Sequence, residues 1–323
     1  NLALRADGTV AAWGANWDGR CVVPEGLSNA VALAAGDSFS LALRADGTVV
    51  AWGSEGNGAC AVPTAMREVT AIAAGYYHGL ALKTDGAVAA WGDNAYGECT
   101  VPDGLSNVHA IAGGSEHSVA LRSNGTVVAW GRNDYGQCTL PAGLSNVVAI
   151  AAGYAHTVAL RADGTVVAWG LNNNGQCSIP DGLSDVIAIA AGEAHTVALR
   201  ADGAFVAWGY RAFCAFPPGA APVAAVSACG GHALVLFGKP CPIRATPPSG
   251  YGVPPDGLSV WLAAAKGACA LRYTMDGGEP TADSPLYDGG LVLTGSATLK
   301  ARLFSGTEAS GRALAAVYPA RVA

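Results

Sequence analysis

The side chains best equipped for chemistry in this 323-residue sequence are its histidines and cysteines, and most of them recur at one spacing. His78, His117, His156 and His195 stand 39 residues apart, His232 falls near the same phase, and Phe39 takes the place one unit earlier. A ring of imidazoles at one level would suit a divalent metal. Equivalent positions in a repeat spread around an axis, however, and do not converge on one ion. A residue repeated unit after unit serves the unit itself, here through a ring N–H bond to a backbone carbonyl. The expectation is structural histidines and no metal. Cys21, Cys60, Cys99, Cys138 and Cys177 also recur once per unit, Cys214 is displaced by two residues, and no C-x-x-C occurs. Neighbouring units hold equivalent Cα atoms farther apart than the ~7 Å a disulfide tolerates, so these thiols are read as small apolar side chains. Cys229, Cys241 and Cys269 lie outside the phase, and a bridge among them stays open.

Asp7, Asp46, Asp85, Asp163 and Asp202 each precede a glycine at the same spacing, with Asn124 replacing one of them. Carboxylates placed so are turn residues and not an acid–base pair. No G-x-S-x-G, P-loop, H-E-x-x-H or twelve-residue calcium loop occurs. The sequence therefore predicts no catalytic residue, no cofactor and no enzyme.

What must position these residues is a repeat. Trp-Gly pairs begin at Trp13, Trp52, Trp91, Trp130, Trp169 and Trp208, always 39 apart. Each unit holds three apolar segments too short for helices, such as 147–152, 157–160 and 165–169, and they read as strands. Asp163-Gly164 joins the last two as a type I′ hairpin turn, and a short fourth strand is expected over 177–179 before Pro180. Four antiparallel strands per ~40 residues repeated radially is the pattern of a β-propeller blade. The Ala-Ala-Gly ending of the first strand suits the axis, where only small side chains fit. Both ends of the propeller carry the same phase, which predicts six repeats here and seven blades in the intact protein.

Composition agrees. The chain is 51% hydrophobic and carries 18 Lys+Arg against 24 Asp+Glu, a net charge of -6 that disfavours nucleic acid as partner. No apolar run reaches the ~20 residues of a membrane span. The motifs AAGxxHxxAL, DGTVVAWG and NxxGQC followed by proline resemble the regulator of chromosome condensation repeat family, its bacterial branch, over residues 1–237. They are similar to the propeller-type β-lactamase inhibitors of that branch, which use aromatic residues two after the inner glycine. Here those positions are Ser38, Tyr77, Glu116, Ala155 and Ala194, and only Tyr77 is aromatic. After a proline-rich stretch at 239–250, the run from 272 to 306 resembles the chitobiase/β-hexosaminidase C-terminal type of domain, an accessory module on extracellular proteins. The predicted organisation is all-β: a propeller of four-stranded blades over 1–238, a linker, and a small immunoglobulin-like sandwich over 251–323.

Function is expected where the units differ. The turns after each Trp-Gly and after each inner glycine vary, and variable turns on a rigid scaffold are where recognition sits. Trp17, Phe39, Tyr76, Tyr77, Tyr96, Glu116, Tyr135 and Tyr154 are the candidate partner-binding residues. A ring packed between blades is the alternative for Tyr96 and Tyr135. The expected partner is a protein, with cell-wall or other polysaccharide second and an enzyme to be inhibited third. The expected compartment is extracellular or cell-surface, with any signal peptide upstream of Asn1.

Overall fold

The computed structural model describes residues 1–64, 66–211, 214, 223–237, 243–246, 258–264, 270–285, 291–293, 297–305 and 308–318. Its elements are strands. Seven sheets follow one another along the first 237 residues. The first is β1(Leu2–Leu4) with β2(Val10–Ala12). Five three-stranded sheets come next: β3(Ala30–Ala35), β4(Phe39–Arg44), β5(Val49–Gly53); β6(Val69–Ala74), β7(His78–Lys83), β8(Val88–Gly92); β9(Val108–Gly113), β10(His117–Arg122), β11(Val127–Gly131); β12(Val147–Ala152), β13(His156–Arg161), β14(Val166–Gly170); β15(Val186–Ala191), β16(His195–Arg200), β17(Phe205–Gly209). The last is β18(Val223–Cys229) with β19(His232–Phe237). All pairings are antiparallel, and the middle strand of each triad lies between an inner strand and an outer one.

The sheets are stitched together by the repeated residues. Leu and Val of each middle strand bury against the next sheet: Val158 and Leu160 cluster with Val186, Ala191, Ala198 and Trp208. Trp91, Trp130 and Trp169 send Nε1–H to the carbonyls of Ala59, Glu98 and Gln137, each at 2.9 Å. The histidines supply a second stitch, and their partner is a hydroxyl where a backbone carbonyl was expected. His78, His117 and His156 place Nε2 3.0, 3.1 and 3.1 Å from Ser118 Oγ, Thr157 Oγ1 and Thr196 Oγ1 of the following sheet. Those hydroxyls already donate to the carbonyls of Glu98, Gln137 and Gln176 at 2.8 Å. The imidazoles must therefore donate through Nε2–H, and burial, which lowers their pKa, keeps the rings neutral. Where Phe39 replaces histidine, Gly79 stands at the hydroxyl position, so both ends of the link change together.

Close approach at the axis explains the inner glycines. A Cβ on Gly75, Gly114 or Gly153 would overlap the histidine ring of its own sheet and the backbone carbonyl of the next, and one on Gly192 would overlap the His195 ring. Three expected details are revised. The hairpin at Asp163-Gly164 is not type I′, because Asp163 keeps negative φ. Its carboxylate accepts bonds from Thr165 N (2.9 Å) and Oγ1 (2.6 Å), Gly164 N bonds Arg161 O at 3.0 Å, and only Gly164 is left-handed, at φ 82°. The segment 177–179 expected as a fourth strand forms turns and irregular backbone. Within the stretch expected as linker, Ile243–Thr246 is a strand, β20.

The C-terminal region is a β domain of two antiparallel three-stranded sheets. β20 joins β21(Leu258–Ala264) and β23(Leu291–Leu293); β22(Ala270–Thr274) joins β24(Ala297–Ser305) and β25(Glu308–Tyr318). The predicted turn at Asp276-Gly277-Gly278 is present, with Gly277 at φ 85° and Gly278 N bonded to Asp276 Oδ1 at 2.9 Å. Cys241 and Cys269 lie outside the described residues, and Cys229 is a free thiol.

Candidate binding face

Both families of variable turns lie on one face of the ring. A middle strand begins where an outer strand ends, as in His78 opposite Gly92, so the turn after the inner glycine meets the turn after Trp-Gly. Backbone bonds join the two in every complete sheet: Ser54 N to Ser38 O (2.9 Å), Asp93 N to Tyr77 O (3.0 Å), and Arg132 N to Glu116 O, Leu171 N to Ala155 O and Tyr210 N to Ala194 O (2.8 Å each). The Asp-Gly hairpins close the opposite end of the strands.

The outer turns are held rigid by residues that do repeat. Cys99, Cys138 and Cys177 donate their thiols to the first turn carbonyls, those of Asp93, Arg132 and Leu171, at 2.9, 3.3 and 3.3 Å. Their N–H groups bond the Oδ1 of Asn94, Asn133 and Asn172 at 2.9, 2.8 and 2.8 Å. Glu98, Gln137 and Gln176 accept from the turn N–H of Tyr96, Tyr135 and Asn174. These thiols are half-buried donors and not merely apolar filler, and burial pushes all three up to about 12. Side chains between the fixed points are free to differ.

The inner turns form a band around the channel mouth. Asp37 N bonds Tyr76 O, Tyr76 N bonds Gly114 O, Ser115 N bonds Tyr154 O, Tyr154 N bonds Gly192 O, and Glu193 N bonds Gly230 O, at 2.7–3.3 Å. A small cavity of about 70 Å³ opens there between Tyr76, Tyr154 and the inner glycines. Tyr76 meets Tyr154 edge-on at 5.6 Å between ring centroids and Tyr77 at 6.2 Å. Burial, and then the carboxylate of Glu193, raise the Tyr76 phenol; burial, then Asp37 and Glu116, raise that of Tyr77. Both stay protonated donors at neutral pH.

Farther out, Arg132 pairs with Glu116 (2.5 Å) and Asp134 (2.6 Å) and lies 4.6 Å over the Tyr96 ring. Arg20 lies 5.7 Å over Trp17, which is 88% exposed. Tyr96 and Tyr135 are exposed and do not pack between sheets. Phe39 is a correction. It is buried in the hydrophobic core with Leu41, Leu43 and Trp91, so no partner reaches it. The sequence reading missed Asp37, Glu193 and Arg132. The signal for Arg132 was a charge of opposite sign sixteen residues after Glu116, in a turn the register brings alongside. Among the described residues no group of three His, Cys, Asp or Glu is placed to hold a metal, and no helix is long and apolar enough to cross a membrane.

The model of the regulator of chromosome condensation (RCC1) repeat matches residues 30–59, 69–98, 108–137, 147–176 and 186–210, and that of the chitobiase/beta-hexosaminidase C-terminal domain matches 247–314. Comparison with curated protein sequences finds no match. Among solved structures, the chain is similar to the ectodomain of the Physcomitrella patens receptor kinase CR4, with 27% identity and a TM-score of 0.61 over 71% of this chain and 64% of that one. It is also similar to yeast RCC1 (Prp20) in a structure with Kap60 bound, at 23% identity and TM-score 0.55 over 66% and 69% of the two chains. A structure of Prp20p from Saccharomyces cerevisiae, described with its binding properties to Gsp1p and histones, matches at 21% identity and TM-score 0.56 over 74% and 73% of the two chains. The chain thus carries five RCC1 repeats between residues 30 and 210, followed by a chitobiase/beta-hexosaminidase C-terminal domain.

Proposed function

We propose that this chain is a non-catalytic, secreted or surface-exposed bacterial scaffold that binds a basic protein segment on the face around the channel mouth. The C-terminal β domain serves as an accessory or attachment module. One observation carries the reading: the divergent residues of both turn families meet on a single face while the repeated residues hold their backbones fixed. Preorganised turns lose little entropy on binding. The sign of the partner follows from charge. These turns hold seven carboxylates, Asp18, Asp37, Glu55, Asp93, Glu116, Asp134 and Glu193, against three cations, Arg20, Arg132 and Arg211, with tyrosines at the centre for cation–π contact. The moss ectodomain supports an extracellular setting, and the Prp20p structures support protein partners. Thiols with pKa near 12 are poor nucleophiles, so they persist unpaired in an oxidising compartment.

The test is a binding screen of basic, acidic and neutral peptides beside a glycan array. Basic peptides are expected to bind, more weakly as salt rises. The pair Tyr76→Ala and Tyr77→Ala should weaken binding about thirtyfold or more, the effect of losing a central aromatic anchor, with the melting temperature little changed. Binding indifferent to both substitutions would overturn this face. The exposed Trp17 ring favours a second reading, stacking on a sugar, and retention of glycans that is lost in Trp17→Ala would support it instead.

A further inference from the structure

Three tyrosines share one corner of the channel mouth, and the ring, not the repeat, brings them there. At the first position of their inner turns the five complete sheets carry Asp37, Tyr76, Ser115, Tyr154 and Glu193. Tyr76 and Tyr154 thus belong to sheets two apart. The residue between them, Ser115, is small and buried, so the two phenols close over it and meet at 5.6 Å and 71°. Tyr77 meets Tyr76 at 6.2 Å and 87°. All three rings are half-buried. Rings set nearly at right angles present a corner of π-faces, the negative part of the aromatic quadrupole.

What surrounds the corner attracts positive charge but offers few acceptors to an N–H. Behind the rings the small cavity is lined by alanines and glycines of the inner strands. The carbonyls of Gly114, Gly153, Gly192 and Gly230 there each already accept an N–H from a neighbouring sheet. Asp37 and Glu193 stand exposed at the rim, close enough to raise the Tyr76 phenol. Among the described residues neither carboxylate is in an ion pair, whereas Glu116 is taken by Arg132, and Arg20 is held by the Asp37 carbonyl and Asp18. A bare lysine ammonium brings three donors and a tight hydration shell, and losing that shell without new acceptors is costly. Methylation keeps the charge and replaces donors with apolar surface, which suits ring faces backed by alanine.

We propose that Tyr76, Tyr77 and Tyr154 form an aromatic cage for a methylated lysine side chain of the partner protein, with Asp37 and Glu193 supplying charge at the rim. The inference rests on reading this face as the site for a basic segment, and it names the group the tyrosines take. The rings hold the alkylated ammonium by cation–π attraction. The rim carboxylates steer it in without touching its methyl groups.

The probes are the basic peptides of the binding screen, each made with one lysine left bare, trimethylated, replaced by its uncharged tert-butyl isostere, or replaced by arginine. The trimethylated form is expected to bind about tenfold or more tighter than the bare form and than the isostere, because ring faces reward charge and apolar surface together. Tyr154→Ser, which copies the turn at Ser115, should erase that preference, and Tyr154→Phe should keep it, with both variants melting as the parent does. Bare lysine, arginine or the isostere bound as tightly as trimethyllysine would overturn the cage while leaving the basic-segment reading in place. Failure of every peptide, methylated or not, would overturn both. Choline bound as tightly as the best peptide would give the corner to a small or lipid-linked ammonium and overturn its assignment to a protein side chain.

Discussion

Between pH 6.5 and about 4.5 the propeller is expected to lose most of its stability and unfold, well above the range where carboxylates titrate. The cause lies in the histidine links. Burial pushes His78 down to about 4, His117 to about 3 and His156 to about 4, whereas the same side chains in the unfolded chain titrate near 6.5. Above 6.5 neither state holds the extra protons and the shifts have no effect. Below it the unfolded chain binds protons the native state refuses, so stability falls as pH falls. Each refused proton costs about 1.4 kcal/mol per pH unit. Three of them remove roughly 4 kcal/mol per unit, against a total of about 5–15 kcal/mol for a domain. Tryptophan fluorescence and circular dichroism followed from pH 8 to 4 measure this directly. The double substitution His117→Phe with Thr157→Gly, patterned on Phe39 and Gly79, should flatten the slope by about one third. Stability unchanged down to pH 4.5 would show that the imidazoles are not held neutral.

Gly153→Ala should be among the most damaging single changes in the chain. Its new methyl group would overlap both the His156 ring and the Gly192 carbonyl oxygen, one in its own sheet and one in the next. Neither can withdraw, since His156 is tied to Thr196 and Gly192 to the backbone of Tyr154. Overpacking typically costs 1–3 kcal/mol, and with two immovable neighbours the expected cost is about 3 kcal/mol or more, a fall in melting temperature of roughly 6–12 °C. Gly56→Ala is the contrast. That glycine has no left-handed backbone, and its nearest neighbour would be Ser54 Oγ at 3.6 Å, so thermal melting should place the variant within about 0.5 kcal/mol of the parent. Equal effects at the two positions would contradict the close-packed axis.

Period and strand alternation alone located the sheets. Val147–Ala152 was expected and found, and its neighbours differ from expectation by one residue. Details decided by side-chain competition were less legible. Asp163-Gly164 has the composition of a type I′ turn, but the Asp163 carboxylate captures Thr165 and keeps the residue at negative φ. Phe39 looked like a surface variant because it breaks the histidine phase. The compensating Gly79, forty residues on, was the sign that the pair belongs to the interior. Cys229 lies outside the cysteine phase because it takes the inner-glycine position of a last unit two residues short, as its pairing with His232 shows. The binding face could be listed residue by residue from sequence variation. That its two turn families share one end follows from strand register, which no single unit reveals.

The central claim is a division of labour: repeated residues build the ring, and divergent turns at one end make the contacts. Amide hydrogen exchange of the chain with and without its best-binding basic peptide tests this most directly. Slowed exchange in turns 37–38, 76–77, 93–96, 115–116 and 132–135, with the hairpins at Asp46, Asp85 and Asp163 unchanged, is the predicted footprint. Protection concentrated at those hairpins would place recognition on the opposite face and contradict the account.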